Sequence, residues 1–412
     1  MRLRLPAILL ALLPLTCAAQ ALSLAEAEAL WRENSREVAL ARATVAGAEA
    51  DVVTAGQIPN PAFSLNVSQV SPQSGVGAGP LKDKRMDSVF QINQLVERGD
   101  KRDLRVRGAE ARLEASRADA TGTERQQLAA LRAAYYDLRL AQETLRLNRE
   151  TVALYSRSAE AGRLRQKAGD IAPVEVARLQ IDRDRAETEA RQAQSGLEQA
   201  QQRLAYLIGR QAEAGSLVAK DGWPQLDNTD PVPPSIEGLP DIAAARQRTA
   251  AAEADRDLAR ARRTRDVTVG VQYERNMWSD PNNSLGVGVS VPLFLWHAHE
   301  GEIARAESEF DIARQQYDQL LARTREQVAQ ARSALLAARD RARRLEDGLL
   351  ADARRVAQAA EFAYGKGAMG LMDLLDARRT LRQIEIEAAG ARAAYAKARS
   401  DWELLGEYGK GK

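Results

Sequence analysis

The sequence predicts a mostly α-helical fold with a small β part, duplicated internally into long helical hairpins and four strands. Three observations lead there. Long stretches carry no proline and repeat their apolar residues at helical spacing. Two glycine bends, at Gly169 and Gly367, stand 198 residues apart, close to half of the 412-residue chain. Four short stretches switch to strict alternation of apolar and polar residues. In each bend an acidic residue, Glu175 or Asp373, follows the glycine by six positions, and Val176 or Leu374 comes next in the restarting helix. Glycine accepts the positive φ that ends a helix, and Pro173 pre-sets φ for the restart.

Residues 1–21 read as a secretory leader: basic Arg2 and Arg4, an apolar run from Leu5 to Leu15, and Ala19-Gln20-Ala21 before the expected cut. The run is too short to span a bilayer, and no later stretch approaches the ~20 apolar residues that a spanning helix needs. Cys17 is the only cysteine. Thr16 and Pro14 before it do not suit a lipid-attachment site, and without it the chain has no disulfide. The hydrophobic fraction is 45% but aromatics are only 5%. Such a mix suits long helices packed through small side chains rather than a thick core. With 59 basic and 57 acidic residues interleaved, no charge block points to nucleic acid.

After the leader, 22–209 forms a first repeat. Ser23 with Glu26 makes a capping box for a helix expected to reach Gly56, where Pro59 and Pro61 stop it. The strand pair covers 62–95: Phe63, Leu65 and Val67 alternate with polar neighbours, and Phe90 and Ile92 keep phase in its second member. From Asp103 to Lys167 a helix of roughly 95–100 Å follows, at ~1.5 Å per residue. Its heptad seam is Leu128, Leu131, Tyr135, Leu138 and Leu145. The tip at 167–173 leads to a return helix with Ala186, Ala190, Ala193, Leu197, Ala200, Leu204 and Leu207 in steps of four and three. A linker at 210–240 contains Pro224, Pro231, Pro233, Pro234 and Pro240 and cannot be regular helix.

The second repeat, 241–405, follows the same order. A helix leads into the strand pair 266–294, with Val267, Val269 and Val271 in one strand. Leu285, Val287, Val289, Val291 and Leu293 alternate with Ser, Gly and Pro in the other. A helix of about 65 residues is expected up to the tip at 365–371, where Gly365 and Gly367 make the bend, and 406–412 is a tail.

Strand hairpins with one greasy face are marginal in water. Packing against helices would cover them; so would a closed barrel facing lipid, where every backbone group must be paired. Four strands are too few for such a barrel, so a chain that spans a membrane this way must oligomerise. A bare coiled-coil rod satisfies the helical periodicity but leaves the alternating strands unexplained.

Several residues together resemble the TolC-like outer-membrane efflux proteins: Leu22-Ser23-Leu24-Ala25-Glu26, Gln57-Ile58-Pro59-Asn60-Pro61, Val291-Pro292-Leu293, Leu207-Ile208-Gly209 and the two bends. The Gln57–Pro61 segment is similar to the branch serving heavy-metal cation exporters of the cobalt–zinc–cadmium type. The resemblance implies a homotrimer in the outer membrane, each chain giving four strands to one barrel of twelve. The helices would line a coiled-coil tunnel in the periplasm, with 210–240 as an equatorial belt. The tips, through Gly169, Pro173, Gly365 and Gly367, would dock a periplasmic adaptor and, through it, an inner-membrane RND-type pump. Phe63, Leu65, Val67, Val267, Val269, Val271, Leu285, Val287 and Val289 would face outer-membrane lipid. Asp373, Asp376 and Glu175 become the candidates for the periplasmic aperture, although a carboxylate early in a helix is also favoured by the helix dipole alone.

No nucleophile motif, phosphate loop or dinucleotide fingerprint is present, so neither an enzyme nor a cofactor is expected. His297 and His299 lack the further ligands a tight metal site needs and read as a solvated turn. Met369 and Met372 read as apolar packing against the adaptor. The main rival function is a periplasmic adaptor, which has a single helical hairpin where this chain has two.

Overall fold

In the computed structural model the chain is described over residues 20–73, 75–228, 230–278 and 282–410. Cys17 and the expected leader up to residue 19 lie outside these residues, as do Asp280 and Pro281 of one strand loop. The elements are β1 (Gln20–Leu22), α1 (Leu24–Asn34), α2 (Arg36–Ala55), β2 (Ala62–Ser68), β3 (Asp87–Val96), α3 (Lys101–Lys167) and α4 (Pro173–Leu207). There follow β4 (Leu217–Ala219), α5 (Pro240–Ala261), β5 (Val267–Asn276), β6 (Asn282–Ser290), α6 (Glu300–Arg344), α7 (Leu350–Gly365) and α8 (Leu371–Tyr408). The fold is thus mostly helical with a small β part, as expected. It divides into two compact units, one of residues up to 38, 124–234 and 326–408, the other chiefly of 39–123 and 235–325.

In the first unit the capping box forms as read: the Ser23 backbone N–H donates to the Glu26 carboxylate at 2.7 Å, and the Glu26 N–H donates to Ser23 Oγ at 3.2 Å. The expected single helix 22–56 is broken at Ser35. Its ψ of 114° is extended, and its hydroxyl accepts from the Val38 N–H at 3.3 Å, capping α2. The seam of α3 is buried from Leu128 to Leu145, and Leu128, Leu131, Tyr135 and Leu138 pack in one core with Trp31, Leu204, Ile208 and Leu217. The linker at 210–240 holds more order than its prolines suggest. A 3₁₀ turn, Gln211–Ser216, feeds β4, which pairs in parallel with β1. Gln20 and Ala21, the last residues of the expected leader, are two of the three in β1. Tyr135 secures this junction by donating to the Leu22 carbonyl at 3.0 Å and accepting from the Asp221 N–H at 3.1 Å.

The long helix expected after residue 300 is also interrupted. Leu345–Leu349, containing Gly348, forms a π-helical turn between α6 and α7, and no proline announces it. At the other end α8 continues to Tyr408, into the segment expected as a tail.

Both bends are built from the same hydrogen bonds. Asp170 N–H reaches back to the Arg165 carbonyl at 2.9 Å and Gly169 N–H to Gln166 at 3.0 Å. In the second, Ala368 N–H reaches Ala363 and Gly367 N–H reaches Tyr364, both at 2.9 Å. This is the Schellman pattern, and it requires left-handed backbone at the glycine: φ is 85° at Gly169 and 71° at Gly367. Gly365 is not a turn residue; it is the last residue of α7 and its φ is not in the left-handed region.

In the second unit the two strand pairs join into one antiparallel sheet of order β2-β3-β5-β6. The central pairing crosses the repeats, Ile92 opposite Val271 and Phe90 opposite Tyr273. The fourth strand stops at Ser290 rather than running through Leu293, because Pro292 has no N–H to give the ladder. All four helix connections leave from one end of the sheet and the β2–β3 and β5–β6 loops from the other. At the helix end, buried Lys101 donates to the Thr264 carbonyl at 2.7 Å and to Asp266 at 2.8 Å, tying the start of α3 to the start of β5.

Two outcomes follow from these local devices. Gly169→Ala and Gly367→Ala should each cost about 1–2 kcal/mol in a urea titration, because the strain is backbone strain. Nothing lies within 4 Å of a Cβ at Gly169, Gly365 or Gly367, so Gly365→Ala, in helical backbone, should be neutral. The Glu26 carboxyl is held down to about 2, chiefly by the Ser23 N–H and then by Lys220. Its contribution is present above the unfolded value near 4.5 and fades as pH falls towards 2, so the protection of the first amides of α1, measured against their intrinsic exchange rates, should fall across that window.

Candidate functional site

Two surfaces, one in each unit, carry the features the sequence singled out. The first surrounds the bends. Helix α4 starts with Pro173 as its first residue after Ala172, which offers no side-chain cap. Glu175 is then the third residue of α4, and Asp373 the third of α8. The two carboxylates are therefore equivalents, both exposed and both placed where a helix N-terminus favours negative charge. Asp376 has no such explanation. It lies one turn further along α8, is exposed, and occupies the position that the first repeat fills with Arg178.

The sequence reading missed the arginines beside these aspartates. Arg379 pairs with Asp182 of α4 at 2.8 Å. Its guanidinium is held above its usual range first by the Tyr155 hydroxyl of α3, with Asp182 and Asp376 adding Coulombic support. Arg378 pairs with Glu361 of α7. Arg382 reaches Glu150 of α3 at 3.1 Å while also pairing with Glu385 at 3.0 Å. Three arginines of α8 thus bind it to three different helices. The visible signal was a run of Arg378, Arg379 and Arg382 just after Asp376, but its partners lie 17 to 232 residues away in sequence. Beneath them Tyr155, Ala159, Leu179 and Leu375 form a small core, with Leu371 and Met372 packed on it. Met372 is half-buried and packs on this core within its own chain.

Partly exposed pairs of this kind contribute about 0.2–1 kcal/mol each, so this joint is held by many weak contacts rather than one strong one.

The second surface is the sheet. Residues opposite one another in register share a face. Phe63, Ile92, Val271 and Val287 form one row, and Leu65, Phe90, Tyr273 and Leu285 the next. Val269 pairs with Val289 on the same side, and Val267 with Val96. Exposure runs from 38% at Phe90 to 80% at Leu285; Val267 alone is half-buried. Val67 shares its row with Ser88, Arg275 and Asn283, so it marks the polar edge of the band. The opposite face carries Ser64, Asn66, Gln91, Asn93, Gln272, Gly286 and Gly288. One face is suited to hydrocarbon and the other to water along all four strands.

Burying one such Leu or Val side chain is worth about 1.5–3 kcal/mol, so this face is costly in water. The outer edges of β2 and β6 have no strand partner among the described residues. No helix of the described residues is long and apolar enough to cross a membrane. Nor, among them, do three or more His, Cys, Asp or Glu side chains gather to hold a metal ion.

Known proteins share this arrangement. The family model described as outer membrane efflux protein matches residues 29–210 and 235–402. The cobalt-zinc-cadmium resistance protein CzcC of Cupriavidus metallidurans is 26% identical over 378 residues, covering 90% of this chain and 87% of that protein. The pyoverdine export outer membrane protein OpmQ of Pseudomonas putida is 27% identical, covering 87% of this chain and 80% of that one. The crystal structure of the outer membrane protein VceC of Vibrio cholerae superposes with a TM-score of 0.77 at 19% identity, over 93% of this chain and 96% of that one. With two glycine-bent helical hairpins, an amphipathic sheet open at both edges and a family match across both repeats, the chain belongs to the outer membrane efflux protein family.

Proposed function

We propose that this chain is the channel subunit of a tripartite efflux system, working as a homotrimer whose three sheets close into one barrel of twelve strands in the outer membrane. The observation that carries this reading is the sheet: four strands in phase, one apolar face, two unpaired edges. Unpaired backbone is not tolerated in hydrocarbon, so each edge calls for another strand, and copies of the same chain supply it in matching register. The apolar face then meets lipid, and the Ser, Asn, Gln and Gly face lines a wet lumen. The helical hairpins form the periplasmic tunnel, and the bends at Gly169 and Gly367, with Pro173, present its mouth to a periplasmic adaptor and an inner-membrane RND-type pump. Conduction through such a tunnel is passive and needs neither catalysis nor a cofactor.

At the mouth, Asp376 is the strongest aperture residue, because Asp373 and Glu175 sit where the helix N-terminus alone accounts for an acid. Threefold symmetry turns each into a ring of three carboxylates, which favours cations. Replacing Asp373 and Asp376 together by Asn should move the reversal potential of the reconstituted channel, under a potassium chloride gradient, towards zero. An unchanged reversal potential would remove these residues from the aperture.

The 26% identity to a cobalt-zinc-cadmium resistance protein supports heavy-metal cations as cargo. A strain lacking this chain should grow at lower zinc, cobalt or cadmium concentrations than one expressing it; equal tolerance would direct attention to other small molecules. Recovery of the chain in a soluble periplasmic fraction would instead favour the adaptor or scaffold reading.

A further inference from the structure

The apolar face of the sheet does not end where its hydrogen bonding ends. β6 stops at Ser290, yet the alternation of Leu285, Val287 and Val289 continues through Val291, Leu293 and Leu295. Exposure is 39% at Val291, 66% at Leu293 and 70% at Leu295, and it reaches 90% at Trp296. Between Leu293 and Leu295 the chain turns one side chain the other way. Phe294 is half-buried, meets the edge of the His299 ring at 5.1 Å and lies under the Arg265 guanidinium at 5.3 Å.

The turn after Trp296 is pinned as well. The Ala298 N–H donates to the Glu300 carboxylate at 2.9 Å, and His299 holds a φ of 67° while its carbonyl accepts from Ile303 N–H at 3.0 Å. The segment is thus held with Phe294 tucked in and Leu293, Leu295 and Trp296 presented outwards. An apolar ridge thus stands directly before the turn of His297 and His299, in which His297 is exposed.

We propose that Leu293, Leu295 and Trp296 form a membrane anchor seated at the headgroup–acyl boundary of the periplasmic leaflet, setting how deep the barrel sits. This rests on the lipid-facing reading of the sheet given above. The leaflet follows from topology: this turn is at the end of the sheet from which every helix leaves, and the helices lie on the periplasmic side. The occupant follows from continuity with the apolar face. A neighbouring copy that pairs with β6 meets its backbone edge, whereas these side chains project from its face. An indole is suited to that boundary, its ring accepting acyl contact while its N–H reaches a headgroup or water.

The test uses the full chain reconstituted in phosphatidylcholine vesicles containing lipids brominated either high on the acyl chain or near its end, with tryptophan emission as the readout. The chain has five tryptophans, so Trp296 is read as the difference between the parent and Trp296→Phe, which keeps a ring. Val287→Trp in that background reports on the middle of the band. Quenching by the high bromines should drop with Trp296→Phe, and the Val287→Trp signal should respond more to the deep ones. If the Val287→Trp signal is quenched while Trp296→Phe changes nothing, the anchor is overturned and the lipid face stands. A Trp296 signal quenched only by aqueous acrylamide, or shielded from lipid and acrylamide alike against another copy, also overturns it. If neither reporter responds to bromine, the lipid-facing reading itself fails.

Discussion

A strand edge cannot be left open in hydrocarbon, and the architecture answers to that rule. Each unpaired N–H or C=O costs several kcal/mol where water is absent. A single chain supplies only four strands, too few to curl into a closed cylinder, so the proposed barrel requires other copies of the chain. The internal duplication makes this economical. Each repeat contributes a pair, β3 and β5 join the pairs, and the remaining edges belong to strands from opposite repeats. In the proposed barrel one copy's β6 would meet another's β2.

The same duplication sets up the helical side. Gly169 and Gly367 end their helices with identical hydrogen bonds, and Glu175 and Asp373 occupy the same position in the helices that follow. The repeats then diverge just beyond. Asp376 and Arg379 in the second stand where Arg178 and Ile181 stand in the first. Polar pairing therefore concentrates on α8, which is tied to α3, α4 and α7 by arginines over a small core. A joint of many weak pairs is stable at rest, yet each pair can be exchanged at modest cost.

Much of this was legible in the residues. The alternation at Phe63–Val67 and Leu285–Val289 assigns each side chain to a face, because the strand period is two. The spacing of Leu128, Leu131, Tyr135 and Leu138 placed the buried seam correctly, and the glycines placed the bends. What escaped was of two kinds. The break at Ser35 and the π turn at Leu345–Leu349 hide inside good helical periodicity, since one serine or one extra residue in a turn scarcely disturbs the apolar pattern. The parallel pairing of β1 with β4, and the arginine partners Glu150, Asp182 and Glu361, depend on segments far apart in the chain.

Local conformation was thus the sequence's own contribution. Glycine, proline and the two hydrophobic periods act through sterics and side-chain direction over a few residues, and they need no partner to be read. Tertiary structure alone decided who pairs with whom. It joined two amphipathic hairpins into one sheet with a common apolar face, gave Arg379 and Arg382 their carboxylates, and carried that face past Ser290 to Trp296. Pairing is a property of two surfaces brought together, and neither segment records its partner by itself.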